Sequence, residues 1–572
     1  MSAPIRIANT SGFYGDRFSA MREMLEGGPV DVLTGDYLAE LTMLILWKAR
    51  RKDPSAGYAT TFVRQMEEVM GACLDRGIRV VTNAGGLNPH GLAEKLHEVA
   101  GRLGLSPRIA VVEGDDLLGR LDGHDLTHLD TGQKLAEAGV EPVTANAYLG
   151  GWGIAAGLDA GADIVVTPRV TDAALVVGPA AWWHGWARDD WDRLAGAVVA
   201  GHVIECGPQA TGGNYSFLDE LPDARYPGFP IAEVADDGST VITKQPGTGG
   251  LVSVGTVTAQ LLYEIAEPAY ANPDVVARFD TIGLTQEAPD RVRIAGVRGE
   301  PPSGLVKVAL NHVGGWRNTM TMGLTGLDVD AKAERALAML GDLVGGWDQF
   351  ASWTTALVST DEAAISHLRI TVKDPDPDKV GRRFSNSVME LLLASFGGAF
   401  TTTPPSAPSE YGVYWPALVP SSIVEHAVVL PDGTRVVVPH TDPVDGPSIP
   451  SPPAPTWTED GPTRRLPLGV VCGARSGDKG GNANIGLWAR DDRAHAWLAS
   501  TLTPDLLRSL VPEAVDLEVR RFELPNLRAL NFVVVGILGE GVASSVRADP
   551  QAKGLGELVR SKLVDIPESL LP

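Results

Sequence analysis

Across 572 residues the chain has only three cysteines, Cys73, Cys206 and Cys472, which lie far apart and are odd in number. That scarcity excludes a disulfide framework, and no CxxC pair offers a metal clip. Long hydrophobic runs are missing too. The most apolar helical stretch, around Leu41 to Trp47, is far shorter than the roughly 20 residues that span a bilayer. The start, MSAPIRIANT, has no basic stretch followed by an apolar run, so no signal peptide is expected and the cytoplasm is the default location. Positive charge is outweighed: 48 basic against 71 acidic residues give a formal charge of -23. Such a surface repels phosphate backbones and anionic lipids, which excludes nucleic acid and membrane as expected partners. GxGxxG is absent and no GxxxxGK[ST] precedes a helix, so there is no nucleotide cofactor fingerprint.

What is present is a globular composition, 44% hydrophobic and 21% charged, in a chain too long for one ordinary core. The fold expected is α/β: a mainly parallel sheet domain with an α+β lobe, then a small C-terminal α+β domain. Short apolar runs alternate with amphipathic segments over residues 1–285, with strands at Ile5 to Ala8, Asp31 to Leu33, Ile78 to Thr82, Arg108 to Val112 and Asp163 to Thr167. The order changes over residues 286–440, read as the α+β lobe. Residues 441–465 are so rich in proline that neither helix nor central strand persists, and they form a linker. Residues 466–572 read β-β-α-β-β-α.

In parallel sheets ligands bind beyond the carboxyl ends of the strands. The residues following the five expected strands are polar: Asp16 and Arg17; Asp36, Tyr37 and Glu40; Asn83 with Gly85 and Gly86; Glu113, Asp115 and Asp116; Arg169 and Asp172. Taken singly, each reads first as a helix cap or a chain turn, whereas five such loops together favour a site. Gly85 and Gly86 could bring backbone N–H groups to an anion, and QPGTGG, containing Gly249, could cradle one at a helix N-terminus. The segment ECGPQATGGNY packs Glu205, Cys206 and Asn214 among glycines, with Cys206 either a nucleophile or a buried inert thiol. His124 and His128 have helical ligand spacing but glycine-rich flanks that favour a loop, and no metal is assigned. CGARSGDKGGNANIG sets Arg475, Ser476, Asp478 and Lys479 on a glycine-rich turn between expected strands. Arg475 and Lys479 could clamp a carboxylate or phosphate while Asp478 acts as acid or base. A tight hairpin with solvated charges is the competing reading.

The series IANTSGFYGDR, GDYLAELTM, NAGGLNP, GWGIAAGLDAGADIVVTPRVTDAALV, GHVIECGPQATGGNY and QPGTGGLVSVGTVTAQLLYEI resembles the acyclic terpene utilisation protein AtuA family over roughly residues 5 to 440. RSGDKGGNANIG and its surroundings resemble the AtuA-like ferredoxin-fold domain. The resemblance implies a setting of branched or isoprenoid acids and their CoA thioesters, with CoA a possible part of the substrate. The expected function is an enzyme working by acid–base chemistry, a hydratase, dehydratase or lyase, on a small-molecule carboxylate or acyl-CoA. Arg17 and Arg169 would hold a carboxylate, Asp16, Asp36 or Asp172 would move protons, and Asn83 would steady an enolate oxygen. The alternative is an accessory subunit of an acyl-CoA carboxylase or related enzyme. A homo-oligomer is expected, and the hairpin around Lys479 is expected to join the same site.

Overall fold

The computed structural model describes residues 3–571 apart from 122, 125, 224, 360–364, 445–448 and 460. Parts of the proline-rich linker, and Asp125 beside His124, therefore lie outside the described residues. The chain forms two compact units, one of residues 1–311, 414–542 and 551–572, the other of 312–413 and 543–550.

The first unit is built on an 11-stranded sheet. Its centre is parallel: β1 (Ile5–Asn9), β2 (Val32–Gly35), β3 (Arg79–Thr82), β4 (Ile109–Glu113) and, after β5 (Pro142–Ala147), β6 (Ile164–Val166) run in the order β1-β2-β3-β6-β4. These are the five strands read from the sequence. Antiparallel strands extend both ends. β7 (Pro230–Val234) and β8 (Thr240–Lys244) continue beyond β1, and Ala427–Val429 pairs with β4.

Both faces of the centre are covered, which is why its strands are apolar at nearly every position rather than at every second one. Ile7, Val32, Val81, Val112 and Val165 enter one core with helices Trp152–Asp159, Ala174–His184 and Trp191–Ile204. Their neighbours Ala8, Leu33, Val80, Val111 and Val166 enter the other, under helices Ala20–Glu26, Thr60–Arg76 and Pro89–Leu103. The period-2 alternation of a strand thus feeds two separate helical layers.

In the second unit, Ser352–Val358, Ile365–Asp374 and the later part of Leu305–Thr325 form an antiparallel sheet. Helices Val329–Val344 and Arg382–Ala394 pack on it through Leu340, Phe384, Met320 and Ile370.

The C-terminal segment, part of the first unit, is an antiparallel sheet of Cys472–Lys479, Asn482–Ala489, Ala529–Val534 and Val519–Leu524, in that order. One expectation is corrected here. CGARSGDK is not a connecting turn but a strand in its own right, and only Gly480 and Gly481 turn the chain. Its glycines serve close approach: a Cβ on Gly477 would stand 2.3 Å from the Tyr263 ring, and one on Gly486 would stand 2.5 Å from Leu262 Cβ. The segment after helix Val254–Leu261 therefore lies flat on the hairpin. Two buried asparagines lock it there. Asn484 Nδ2 donates to the Leu262 carbonyl (2.6 Å) and its Oδ1 accepts from the Glu264 N–H (2.9 Å). Asn531 Nδ2 donates to the carbonyls of Ile265 (3.0 Å) and Ala266 (2.7 Å).

Asn484→Ala would leave a buried carbonyl and N–H without partners, so a loss of about 2–4 kcal/mol is expected. Hydrogen exchange should show it first as faster exchange over residues 262–266. Unchanged protection there would mean the asparagine does not hold the segment.

Candidate functional site

The carboxyl ends of β2 and β6, the end of helix Trp191–Ile204 and the hairpin of the small domain carry a dense set of ionisable groups, all within the first unit. Asp36 follows β2 and is buried. Its Oδ1 accepts from Asn83 Nδ2 (2.6 Å) and the Leu38 N–H (2.9 Å). Arg169, also buried, donates from Nη1 to the Leu38 carbonyl (2.8 Å), places Nη2 3.2 Å from Asp172 Oδ1 and lays its guanidinium over Tyr148, 4.1 Å from the ring centre. Asp115 holds the Arg169 backbone N–H (3.2 Å). Oxygens of Asp36, Asp172 and Glu205 lie within 4.8 Å of one another.

Around this core stand Glu40, Glu264, Lys307, Asp478 and Lys479. Glu40 Oε1 accepts from the Tyr148 hydroxyl (3.2 Å) and lies 3.7 Å from Lys307 Nζ. Lys479 Nζ donates to the Glu264 carbonyl (2.7 Å) and sits 5.5 Å from the Tyr270 ring centre. One oxygen of Asp478 is buried without a hydrogen-bond partner.

Burial sets the protonation of this group, and neighbouring charges then separate its members. Asp36 is pushed well above the carboxylate range by burial and then by Asp172, against the pull of Arg169 and Asn83. Burial raises Glu205 and Glu264 as well, reinforced by Asp172 and Asp478 respectively. Asp478 rises to about 7 through burial and the nearby charge of Glu40. Glu40 goes the other way: burial would raise it, but Lys307 and Arg169 outweigh that and hold it at about 2. The Lys479 ammonium is lowered by burial and by Lys307. Burial and Glu205 push the Cys206 thiol up, so this cysteine is a poor nucleophile.

Of the residues singled out in the sequence, Asp36, Asn83, Arg169, Asp172, Asp478 and Lys479 come together here. Asn83 acts through Asp36, because its Oδ1 accepts from the Tyr37 N–H (2.8 Å) while Nδ2 holds the carboxyl group; both ends of the amide are committed to the loop. Arg475 and Ser476 lie on the same strand but serve its docking. Arg475 donates to Gln209 Oε1 and stacks on Tyr263 at 4.4 Å; Ser476 Oγ accepts from the Gly556 N–H (2.8 Å).

The remaining residues are occupied elsewhere. Asp16 closes its own loop by accepting from the Gly12 (2.8 Å) and Arg17 (2.7 Å) N–H groups. Arg17 is taken up by the Pro227 carbonyl (3.0 Å) and Glu23 (3.1 Å). Gly85 and Gly86 answer a packing need: a Cβ would meet the Thr167 carbonyl at 2.5 Å and Leu46 at 2.3 Å. Gly249 lies against the Tyr226 carbonyl, and Asn214 is an exposed turn residue with φ of 60°. The helix after QPGTGG is capped by its own Ser253 and Thr256, which leaves no free cradle for an anion. His128 sits in a loop, its Nδ1 accepting from the Asp130 N–H (3.1 Å).

Sequence reasoning passed over Glu264, Lys307, Tyr270 and Tyr148 as site residues. Lys307 had a usable signal, since it is the lone charge inside the apolar run LVKVAL. Glu264 had none, because it lies in the turn after helix Val254–Leu261, and the partner covering that turn comes from more than 200 residues away.

Fold and buried cluster together define an α/β protein whose parallel sheet ends in a group of carboxyls and lysines covered by a C-terminal ferredoxin-like domain. The chain belongs to the acyclic terpene utilisation protein AtuA family, whose profile matches residues 5–430, with the AtuA ferredoxin-like domain at residues 466–565. No curated protein matches the chain, and no solved structure does. Among the described residues no helix is long and apolar enough to cross a membrane.

Proposed function

We propose that this buried cluster is the active site of an acid–base enzyme acting on a branched or acyclic acyl-CoA or its free carboxylate, by hydration, dehydration or carbon–carbon lysis. The observation that carries the reading is a buried group of carboxyls and lysines, Glu40 3.7 Å from Lys307 and Asp478 with one unpartnered oxygen beside Lys479, in which the two carboxyls are driven apart in acidity, Glu40 to about 2 and Asp478 to about 7. Separated pKa values within one cluster assign an acid and an ionised partner.

Asp478, poised near 7, is partly protonated at neutral pH; the protonated form serves as general acid towards a leaving hydroxyl, and in the reverse direction the ionised form takes a proton from the attacking water. Lys479 and Lys307 bring positive charge to the cluster, where a developing enolate oxygen or a substrate carboxylate needs it. Arg169, fixed by Tyr148 and Asp172, keeps that charge balance without moving. Acids and lysines of this kind fit proton transfer next to a carbonyl, and Cys206, raised by burial, takes no part.

The accessory-subunit alternative needs a small domain free to dock on another protein. Its hairpin is instead buried against residues 262–266 of the same chain, which favours the enzyme.

A raised carboxylic acid holds its proton below its folded pKa and loses it above. Turnover is therefore expected to fall as pH rises through about 7, the value Asp478 reaches. A rate profile of wild type against Asp478→Asn checks this: the variant should be slow and lack the inflection. A variant with wild-type rate and profile would remove Asp478 from the reaction.

A further inference from the structure

We infer that Asp36, Asp172 and Glu205 form a site for one divalent cation of the Mg²⁺ or Mn²⁺ class. The inference does not depend on which reaction the cluster performs, because binding is read without turnover.

The three residues arrive from separate places, the loops after β2 and β6 and the end of helix Trp191–Ile204, and bring one oxygen each within 4.8 Å of the others. Oxygens sharing one such cation stand roughly 3–4.5 Å apart, as metal–oxygen distances of about 2.1–2.4 Å require. Asp36 and Glu205 are 5% and 8% exposed, too deep for water alone to offset their charge. Arg169 offsets Asp172, and its other contacts go to Leu38 and the Tyr148 ring.

An independent feature points to the same ligand. His202 is 1% exposed, and its Nε2 donates to the Gln260 carbonyl (3.1 Å). With Nε2 committed to that carbonyl, Nδ1 has no hydrogen-bond partner and lies 3.6 Å from Glu205 Oε1. An imidazole nitrogen and a carboxyl oxygen facing each other in a buried place need a proton or a cation between them. A carboxylate-rich set beside one imidazole suits Mg²⁺ or Mn²⁺ better than a soft, thiol-seeking metal.

The test uses the full chain, treated with EDTA, desalted and titrated with Mn²⁺ while free Mn²⁺ is read by electron paramagnetic resonance. One site per chain is expected, saturating at micromolar Mn²⁺ and displaced by excess Mg²⁺, above weak binding to the acidic surface. In Glu205→Gln and Asp36→Asn that site should weaken at least tenfold, with the weak surface binding unchanged. Thermal melts in EDTA establish that the variants fold, and Mn²⁺ should raise the wild-type Tm without raising that of Glu205→Gln. Absence of the micromolar site in wild type overturns the inference, whatever the variants do. Folded variants that bind as tightly as wild type overturn it equally, and would leave the cluster neutralised by protons.

Discussion

Lys479→Met should lower turnover by about 10²–10⁴-fold, chiefly through kcat, while leaving the protein folded. The ammonium is held by the Glu264 carbonyl, lies near the Tyr270 ring and feels Glu264, Glu40 and Asp172 as compensating charges. Methionine keeps the length and apolar bulk of the stem but carries neither charge nor donor. The structural cost is one buried carbonyl without its donor, about 1–3 kcal/mol. That is small beside the loss of a preorganised positive charge at a developing oxyanion, which acts only in the transition state. Steady-state kinetics and a thermal melt check it together. A Tm within a few degrees and a collapsed kcat support the role, whereas full activity would make the hairpin a docking element only.

Gly477→Val should damage folding and activity at once. Its Cβ would stand 2.3 Å from Tyr263 Cε2 and 3.2 Å from Cζ, and the Tyr263 ring is itself buried, with Arg475 and Lys553 over it at 4.4 and 4.3 Å. Neither backbone can retreat easily, because Asn484 and Asn531 pin residues 262–266 to the same hairpin. Overpacking of this kind costs about 1–3 kcal/mol or more. The ring would have to move, and with it the adjoining turn at Glu264 that fixes Lys479. Gly101→Ala is the control: it lies inside helix Pro89–Leu103 with open space where a Cβ would go, and should be neutral or slightly stabilising. Should Gly477→Val melt and turn over like wild type, the close packing of hairpin on helix end would be wrong.

The parallel centre was legible because buried strands bounded by amphipathic helices leave a plain mark, as in Val80–Thr82 and Ile164–Val166. The antiparallel additions were less so. The β7–β8 pair is as long as the legible strands, but which strand it joins depends on long-range register that no local pattern encodes. For the site, strand-end logic found Asp36, Arg169 and Asp172, since parallel strands must end on one edge. It could not separate Asp36 from Asp16, because both are polar residues after a strand; what differs is that Asp16 finds two backbone N–H partners in its own loop. Lys479 stood out by its motif, yet its partner Glu264 is set by tertiary contact alone.

The most direct test is incubation of the purified full chain with a panel of branched and acyclic acyl-CoA thioesters and their free acids, with Mg²⁺ or Mn²⁺ and with EDTA, followed by mass spectrometry. At least one compound should gain or lose one water, or split into two carbon fragments, with wild type, and the change should vanish with Asp478→Asn and Lys479→Met. A panel left unaltered under every condition, or a conversion that both variants perform at the wild-type rate, would contradict an acid–base active site at this cluster.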